Sequence, residues 1–461
     1  MIGALLALIL AASAGTGFRG DGTGVAEGPL PATWAPAWRT DLAAWGNASP
    51  VRLADLVCVT EEPLTLVCLD AASGAVRWRA VHEVLPTLPA DERAALAPRL
   101  ASARELEAEE RRLLPERSAL LRAARAGDPA ARAEVDRLSA RLETLRAELD
   151  GLAWARTAAD RDIIGYATPT PVADDRTLYA IFGNGVVAAH APDGTTRWTR
   201  WLGAAPKGMR GYDLGTAASP LLVDGTLVVA HDALLGLDPA TGTERWRVPD
   251  YRDFGTPAVA RVGGAAILAL PDGRLVRPAD GEVLAEGLAD PWYVGPHADG
   301  DVVVWIGGHA AVDNLQAGSV PAVARRLAPG GTGVDAPLLW KADLPTADLY
   351  YTPPVSRDGR LYSVSRSGEL RVLDLATGAI LHSQDLLPDL GAFVYASPTL
   401  VGDRLLVLSE RGVLLLLDAA PPFAIVGREE VQGQHRATPL VTSRGTFLRP
   451  LEAVVRVGGT P

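Results

Sequence analysis

The chain contains eight similar openings in which Ser, Thr or Gly precedes a proline and an apolar run follows. They are Ser49-Pro50, Thr168-Pro169, Ser219-Pro220, Thr256-Pro257, Gly295-Pro296, Thr352-Pro353, Ser397-Pro398 and Thr438-Pro439. A unit of this size cannot bury its own apolar face, so units that recur in this way form arrays in which neighbours share one core. This repeat constrains the possible folds more than any other feature of the sequence.

The third repeat shows the content of one unit most clearly. After Ser219-Pro220, apolar and β-branched runs follow at 221–223, 226–230, 234–237 and 243–248, separated by Asp- and Gly-containing turns. Asp-Gly between such runs is a strong hairpin signal, because Gly supplies a positive φ at no steric cost. Four short antiparallel strands per unit are typical of a propeller blade. The sequence therefore predicts an all-β protein, an eight-bladed β-propeller.

The eighth unit is incomplete, because the residues after Thr438-Pro439 suffice for only three strands. Residues 37–42 near the N-terminus look like the end of a blade and can supply the fourth strand. Pairing the two ends of the chain would close the ring and remove two exposed sheet edges. We therefore assign 34–83 to this closing strand and the first blade, and 161–461 to the remaining blades.

Several units end with a glycine four residues before a tryptophan, as in Gly74/Trp78, Gly194/Trp198 and Gly242/Trp246. Trp38 and Trp340 are assigned to the same place in less regular units. A ring that recurs in unit after unit is expected to pack between neighbouring blades rather than to form one stacking platform for a ligand.

The repeat phrases VCLDAASGAVRW, LLGLDPATGTERW and LRVLDLATGAIL resemble the blade signature of the PQQ-binding-like β-propeller repeat family. The N-terminal phrase FRGDGTGVAEG is similar to the opening of large extracytoplasmic members. The resemblance implies a propeller and two classes of activity. Some members are quinone-dependent dehydrogenases of alcohols and sugars, and others are scaffolds of the BamB type.

The catalytic members of that family hold the quinone PQQ with calcium, and many carry two adjacent cysteines. This chain has no Cys-Cys pair and no Cys-x-x-Cys-His motif, so no route for electrons is evident. No calcium-ligand set can be mapped onto it, although a hard cation needs several converging oxygens. We predict no catalytic residue, no metal ligand and no cofactor. The expected function is a non-enzymatic binding or scaffold module; a PQQ-dependent dehydrogenase is the alternative.

Composition and the N-terminus bear on location and partners. The net charge of −11 and the pI near 5.2 argue against a nucleic-acid surface, which needs a basic stripe. Residues 2–14 form an apolar run that is too short to span a bilayer and fits a signal peptide over 1–14, followed by an extension at 15–33. An uncleaved N-terminal anchor is the alternative. We expect a periplasmic or secreted monomer with a protein partner.

The two cysteines of the chain, Cys58 and Cys68, are ten residues apart in one predicted hairpin. They could face each other across two strands, and export would permit a disulfide. Two buried thiols that pack as small apolar side chains are the alternative.

A helical insertion interrupts the repeats at 84–160. From about 89 to 152 the chain is rich in Ala, Leu, Glu and Arg, which favours helix. One arm carries a heptad seam of Val135, Leu138, Leu142, Leu145 and Leu149, and the other repeats Leu106, Leu113 and Leu120. We predict an antiparallel coiled-coil hairpin with Asp128 as an N-cap and a kink or break at Pro115. The hairpin could be self-contained or could dock a partner.

The residue three positions before each proline forms a series in which five of the eight members are aromatic, against 6% aromatic residues overall. The series is Asn47, Tyr166, Ala217, Phe254, Tyr293, Tyr350, Tyr395 and Arg436. In a propeller these loops ring one mouth of the central channel, so the aromatic members, Asn47, Arg436 and His435 are candidate binding residues. The alternative is structural, with the rings plugging the channel and joining neighbouring blades.

Overall fold

The computed structural model describes residues 17–458 except 27, 151, 153–154, 156–163, 204–216, 252–253, 290–293, 308–317, 332 and 347. The candidate binding residue Tyr293 and the predicted signal peptide at 1–14 lie outside these residues. The described part forms eight sheets of four or five strands and one two-stranded ribbon. We number the large sheets 1 to 8 in chain order.

The first four sheets follow one another along the chain, and each is an antiparallel meander. Sheet 1 contains Val51–Leu53, Leu56–Glu61, Thr65–Asp70 and Val76–Val81. Sheet 2 contains Val172–Ala173, Leu178–Ile181, Val186–His190 and Thr196–Trp201. Sheet 3 contains Leu221–Val223, Thr226–His231, Ala233–Leu237 and Glu244–Val248. Sheet 4 contains Ala258–Val262, Ala265–Ala269, Leu275–Val276 and Val283–Ala285.

The other four sheets complete the series. Sheet 5 contains His297–Asp299, Val302–Ile306, Ser319–Arg326 and Leu338–Pro345. Its last two strands flank the ribbon Ala328–Pro329 and Val334–Asp335. Sheet 6 contains Val355–Arg357, Arg360–Val364, Glu369–Asp374 and Ile380–Asp385. Sheet 7 contains Thr399–Val401, Arg404–Leu408, Val413–Asp418 and Ile425–Glu430. Sheet 8 contains Leu440–Thr442, Gly445–Leu448 and Ala453–Val457.

Two N-terminal strands join these sheets. The strand Pro36–Asp41 is the fourth strand of sheet 8 and pairs antiparallel with Ala453–Val457, the place to which the sequence assigns it. The strand Val25–Ala26 is a fifth strand of sheet 7 and pairs parallel with Thr399–Val401.

The apolar core lies between the sheets rather than within one of them. Each of eight buried clusters contains side chains from two consecutive sheets. The last of them joins Leu440 and Phe447 of sheet 8 to Val57 of sheet 1, so the series returns to its start. The clusters explain how units too small to fold alone form one stable body, a β-propeller.

Hydrogen bonds between the first strands also tie neighbouring sheets together. In each bond a backbone N–H just before one strand donates to the hydroxyl at the same place in the next sheet. The bonds are Ser49 to Thr170 (3.0 Å), Thr170 to Ser219 (3.1 Å), Ser219 to Thr256 (3.0 Å), Ser397 to Thr438 (3.0 Å) and Thr438 to Ser49 (3.0 Å). The Ser/Thr before the repeat's proline is thus a connector between blades.

These bonds correct the register of the repeat in sheet 2. The sequence offers Thr168-Pro169-Thr170-Pro171, and the prediction took the first proline as the start. The structure uses the second, because Thr170 makes the inter-sheet bonds and the strand begins directly after Pro171. Thr168 instead accepts a hydrogen bond from the Gly165 N–H at 2.9 Å and closes the preceding loop.

The same ambiguity occurs in sheet 6, where Thr352 is followed by two prolines. The strand begins directly after Pro354, so Pro354 corresponds to the single proline of the other units. Pro353 then stands where other units have Ser or Thr, and it has no hydroxyl with which to join the inter-sheet bonds. The repeat in this sheet is therefore shifted by one residue from the sequence prediction.

The recurrent tryptophans pack between sheets, as the sequence predicts. The Trp78 indole N–H donates to the Pro192 carbonyl of the next sheet at 2.9 Å. A Cβ atom on Gly194 would lie 2.8 Å from the Trp78 ring, so the turn must carry glycine for the ring to lie over it. Equivalent indole bonds to the next sheet are made by Trp38, Trp198, Trp246 and Trp340.

The insertion after sheet 1 contains a 3-10 turn at Leu85–Thr87 and the helices α1 (Ala90–Arg125) and α2 (Pro129–Asp150). Asp128 accepts bonds from the N–H groups of Ala130 (2.9 Å) and Ala131 (3.2 Å) and caps α2. Of the predicted kink or break at Pro115, the break is wrong, because α1 runs through Pro115 without ending. Pro115 is exposed, so the carbonyl that loses its bond can face water. A short helix α3 (Leu387–Leu390) follows sheet 6.

Helices α1 and α2 pack on each other and on sheet 2. Leu138, Leu142 and Leu145 of α2 are buried against Leu113 of α1. Arg141 of α2 donates two hydrogen bonds to the Glu109 carboxylate. At the base, apolar residues that flank the helices contact Val186 and Trp201 of sheet 2. In the described part of the chain, neither helix is sufficiently long and apolar to cross a membrane.

Candidate functional site

One mouth of the propeller is lined by two kinds of loop, those that precede each first strand and those between the second and third strands. Over sheets 6, 7 and 8 these loops form a partly exposed group that we call the mouth cluster. It consists of Asp348, Tyr351, Arg366, Phe393, Tyr395, Glu410, Gln434 and Arg436.

Backbone hydrogen bonds position these side chains in the same way in successive blades. The Arg366 N–H donates to the Leu349 carbonyl at 2.8 Å, and the Arg366 carbonyl accepts from the Val394 N–H at 2.7 Å. One blade later, the Glu410 N–H donates to Phe393 and its carbonyl accepts from the His435 N–H, both at 2.7 Å. The repeat thus presents Arg366 and Glu410 at equivalent places on adjacent blades.

Aromatic rings and guanidinium groups alternate in the cluster. The rings of Tyr351 and Tyr395 are almost parallel, 7° apart, with centroids separated by 6.1 Å. The Arg366 guanidinium carbon lies 5.6 Å from the Tyr351 centroid and 4.7 Å from the Phe393 centroid. The Arg436 guanidinium carbon lies 5.8 Å from the Tyr395 centroid. These distances are within the range of cation–π attraction.

Each arginine of the cluster is also paired with a carboxylate. Arg366 Nε donates to Asp348 Oδ2 at 2.8 Å, and this hydrogen bond raises the pKa of Arg366. Arg436 Nε donates to Glu410 Oε1 at 3.0 Å, and the Gln434 amide donates to the same oxygen at 2.6 Å. The two positive and two negative charges cancel, so the cluster can attract a ligand through ring faces and hydrogen bonds but not through net charge.

The cluster keeps surface available for contact. Phe393 is 41% exposed, and Tyr351, Tyr395 and Arg366 are half-buried. Burial raises the pKa of the Tyr395 hydroxyl, which therefore stays protonated and able to donate a hydrogen bond at neutral pH. The arrangement suits binding of another surface; it contains no nucleophile with an adjacent base.

The structure separates the predicted mouth residues into two groups. Tyr395 and Arg436 lie together in the cluster, whereas Tyr166 and Tyr350 are each 2% exposed in cores between sheets and do not face an open surface. His435 is fully buried, and burial lowers its pKa to about 4. The half-buried Asn47 and Phe254 lie in the loops before sheets 1 and 4.

The corrected register explains why the sequence missed Tyr351. Counted from Pro354, the residue three positions earlier is Tyr351, the neighbour of the predicted Tyr350. In sheet 2 the same count from Pro171 gives Thr168 instead of Tyr166. The stacked Tyr351 and Tyr395 therefore occupy equivalent positions in adjacent blades, three residues before the proline that precedes each first strand.

Arg366 and Glu410 could also have been found from the sequence. They occupy the second position of two similar four-residue loops, Ser365–Gly368 and Ser409–Gly412, which follow the second strands of sheets 6 and 7. Aligning these loops across the repeats would have placed both residues at the mouth. Their pairing with Asp348 and Arg436 depends on side-chain geometry and has no sequence signal.

Cys58 and Cys68 lie directly opposite each other on adjacent strands of sheet 1, with Cα atoms 4.1 Å apart, and the structure joins them as a disulfide. Both are fully buried in the core that sheet 1 shares with sheet 2.

The resemblance to quinone-dependent members raises the question of a calcium-bound quinone. Calcium takes six to eight oxygen ligands, and the described ranges contain no group of three or more His, Cys, Asp or Glu that could hold a metal ion. Arg19 is 5% exposed and donates a hydrogen bond to the Pro354 carbonyl just before sheet 6. We therefore derive no chemical step through such a group.

The fold and the repeat define the class of this protein as a PQQ-like β-propeller. A family model described as "Outer membrane protein assembly factor BamB" matches residues 31–230, 138–291 and 321–421, which together cover more than half of the chain. The chain belongs to this family. No curated protein matches its sequence.

Solved structures agree on the fold. BamB from Moraxella catarrhalis is 11% identical with a TM-score of 0.53, over 92% of this chain and 99% of that chain. The computationally designed Ika8 protein is 9% identical with a TM-score of 0.52, over 93% of this chain and 100% of that chain. A quinohemoprotein alcohol dehydrogenase from Comamonas testosteroni is 10% identical, over 98% of this chain and 82% of that chain, with a lower TM-score of 0.46.

Proposed function

We propose that this chain is an exported, non-enzymatic propeller of eight blades with an inserted helical hairpin, which binds a protein partner of the cell envelope through the mouth cluster. The observation that carries the proposal is the half-exposed stack of Tyr351, Tyr395 and two paired arginines. Tyrosine and arginine are the residues most enriched among those that dominate binding energy at protein interfaces.

The cluster is preorganised, which favours tight binding. The Asp348 and Glu410 carboxylates hold the two guanidinium groups in place before any partner arrives. A partner therefore does not need to order these long side chains, and less of the interaction energy is lost to entropy. The cancelled charges favour a partner segment with aromatic or aliphatic side chains and hydrogen-bonding groups over a highly charged one.

An envelope location for this function rests on the apolar run at 2–14 and on the family's description as an outer-membrane assembly factor. The helical hairpin is the other surface available to a partner, because its outer faces are charged and exposed.

The proposal is tested by capture of envelope proteins on the immobilised full chain. We expect the double variant Tyr351→Ala/Tyr395→Ala to reduce the affinity for the captured partner by roughly tenfold or more. The matched control is Ile380→Ala/Leu381→Ala, which removes two side chains exposed on the outer strand of sheet 6, 41% and 50% respectively, and should leave the affinity unchanged.

Two results would count against this assignment. Equal loss of affinity in both double variants would show that the mouth has no special role. Loss of affinity on Arg137→Glu, an exposed position on α2, with none at the mouth would move the binding surface to the helical hairpin.

A further inference from the structure

The N-terminal segment, residues 17–26 and 28, contacts the first strands of several sheets. Such first strands contact one another between sheets 1 and 2, 2 and 3, and 4 and 5. Gly17 packs against Val172 of sheet 2, and Gly28 packs against the Thr442 backbone of sheet 8. The segment therefore passes through the central channel.

The segment binds the channel wall as a strand. The Leu400 N–H donates to the Gly24 carbonyl at 2.9 Å, and Val25 and Ala26 pair in parallel register with Leu400 and Val401. The edge of sheet 7 that faces the channel is thus used for strand addition, which is a common way for a sheet to bind an extended peptide.

One long side chain of the segment enters a buried pocket. Arg19 Nη2 donates to the carbonyl of Pro354, just before sheet 6, and to the Thr23 carbonyl at 3.1 Å. Burial lowers the pKa of Arg19 to about 9. Burying a cation is costly, and the two carbonyl oxygens together with the Asp21 carboxylate partly compensate for that cost.

Next to Arg19, a series of side-chain hydrogen bonds connects sheets 5 and 6. His297 Nε2 and the Ser356 hydroxyl are 2.7 Å apart, and that hydroxyl donates to Asp299 Oδ2 at 2.8 Å. These hydrogen bonds connect the buried ring of His297 to the exposed carboxylate of Asp299. Within the described residues, His297 Nδ1 and Arg19 Nε are buried without a hydrogen-bond partner, so the pocket retains one acceptor and one donor for further polar contact.

The rest of the segment makes few side-chain contacts with the channel. The phrase FRGDGTGVAEG contains four glycines, and Asp21 and Gly22 are exposed. Val25 packs only partly against the core of sheets 6 and 7. Backbone pairing, one deep side chain and small flanking residues are the features of a bound peptide rather than of a blade.

We propose that the central channel is a peptide-binding site that combines strand addition to sheet 7 with a buried arginine pocket, and that the chain's own N-terminal segment occupies it as a tethered ligand. The ligand class is an extended, glycine-rich peptide with an arginine six residues before a small aliphatic residue. This site lies below the mouth cluster and does not depend on the function proposed above.

Cleavage of the tether tests the proposal. A protease recognition sequence is inserted at 32–33, where Ala32 and Thr33 are exposed, into the otherwise full chain. After cleavage, a fluorescent peptide of residues 17–31 should exchange into the channel, and it should not bind the uncleaved protein. The Arg19→Ala peptide should bind about tenfold more weakly or worse. The Pro29→Ala peptide is the matched control and should bind like the native peptide, because Pro29 is exposed.

Failure of the peptide to bind cleaved, folded protein, or equal binding of the Arg19→Ala peptide, would overturn the proposal. If cleavage unfolds the protein, hydrogen exchange in the uncleaved chain decides the question. Arg19→Ala should accelerate exchange of the Leu400 amide about tenfold or more relative to Pro29→Ala; unchanged exchange would refute a role for the arginine in holding the segment. No envelope partner is used, so the outcome is independent of the mouth cluster.

Discussion

The same loops line the mouth at sheets 1 and 2 and at sheets 6 to 8, but they place their side chains in opposite environments. At sheets 1 and 2, the Glu62 carboxylate accepts hydrogen bonds from the N–H groups of Tyr166 and Ala167, both at 2.9 Å, and Tyr166 is buried. At sheets 6 to 8, Tyr395 and Arg366 are half-exposed and stack on their neighbours. The same repeat position is thus buried at sheets 1 and 2 and partly exposed at sheets 6 to 8.

Buried histidines extend the closed character of the junction of sheets 1 and 2. His82 Nε2 and His190 Nε2 are 2.9 Å apart, and His82 Nδ1 lies 3.2 Å from the Leu64 carbonyl. Burial lowers the pKa of both rings, that of His82 to about 3. The pair is therefore neutral, with one ring donating to the other, and it acts as packed core rather than as a charged site.

A helix lies beside each of the two junctions. Val84 and Leu88, at the base of α1, pack on Val186 at the mouth end of sheet 2, and Tyr166 is buried in the core that sheets 1 and 2 share. At sheets 6 and 7 the short helix α3 contacts the loop Ser365–Gly368, where Leu390 would lie 3.0 Å from a Cβ atom on Gly368. The comparison teaches that a repeat position indicates a place in the fold and not its exposure.

The largest expected effect is the difference in stability between a variant at the junction of sheets 1 and 2 and a variant at the mouth cluster. Tyr166→Ala removes a buried ring and should lower the free energy of unfolding by about 3–5 kcal/mol. Tyr395→Ala removes a half-buried ring and should lower it by about 1 kcal/mol or less. Urea unfolding of the two variants measures both values. Similar losses would mean that the Tyr395 ring contributes to the core as much as the Tyr166 ring at the junction of sheets 1 and 2.

The next effect is the pH dependence of stability at the junction of sheets 1 and 2. Burial raises the pKa of Glu62 from its usual 4.5 to about 7, so the folded state binds a proton more tightly than the unfolded state. Protonation of Glu62 therefore contributes fully to the free energy of unfolding below pH 4.5, and this contribution is lost as the pH rises through 7. Relative to Glu62→Gln, the native chain should lose roughly 3 kcal/mol of unfolding free energy between pH 4.5 and 8.

Urea unfolding of both proteins across this range provides the measurement. Glu410→Gln at the mouth cluster is the control, because its carboxylate is paired with Arg436 near the surface; it should not reproduce the loss. Parallel curves for the native chain and Glu62→Gln would show that this carboxyl is not the group that titrates.

Reduction of Cys58–Cys68 should have a slightly smaller effect. A disulfide that closes a loop of about ten residues stabilises by about 2–3 kcal/mol in the chain-entropy account. Reductant should therefore lower the unfolding temperature while the near-ultraviolet signal of the folded state persists. A thiol count in denaturant without reductant should find no free thiol; two thiols would restore the alternative of buried cysteines.

The sequence was sufficient for the features that repeat. Period, turn chemistry and the Gly/Trp spacing indicated sheets that share cores, and they placed residues 37–42 at the open edge of the last unit. Each of these signals recurs several times, so one irregular unit could not obscure it. The heptad seam similarly located both helices, because its period differs from that of a strand.

The sequence was insufficient where one local choice decided the outcome. Thr-Pro-Thr-Pro and Thr-Pro-Pro each fit the repeat in two registers, and only the inter-sheet hydrogen bonds of Thr170 distinguish them in sheet 2. Exposure of Tyr395 and burial of Tyr166 depend on the side-chain packing at each junction, which the repeat does not specify. The contacts of residues 17–26 with sheets 2, 6 and 7 have no periodic signal, because a glycine-rich segment carries no apolar pattern.

The smallest expected effect concerns the internal coupling of the mouth cluster. The Arg436 guanidinium faces the Tyr395 ring at 5.8 Å while it is paired with Glu410. A double-mutant cycle with Tyr395→Ala and Arg436→Ala should give a coupling free energy of about 0.5–1 kcal/mol, the range of a partly exposed cation–π pair. Tyr166→Ala with Arg436→Ala is the control cycle across the two junctions and should be additive. Coupling in both cycles would indicate that the ring transmits strain between its two sides, whereas coupling in the first alone would establish the cluster as a local, preorganised surface.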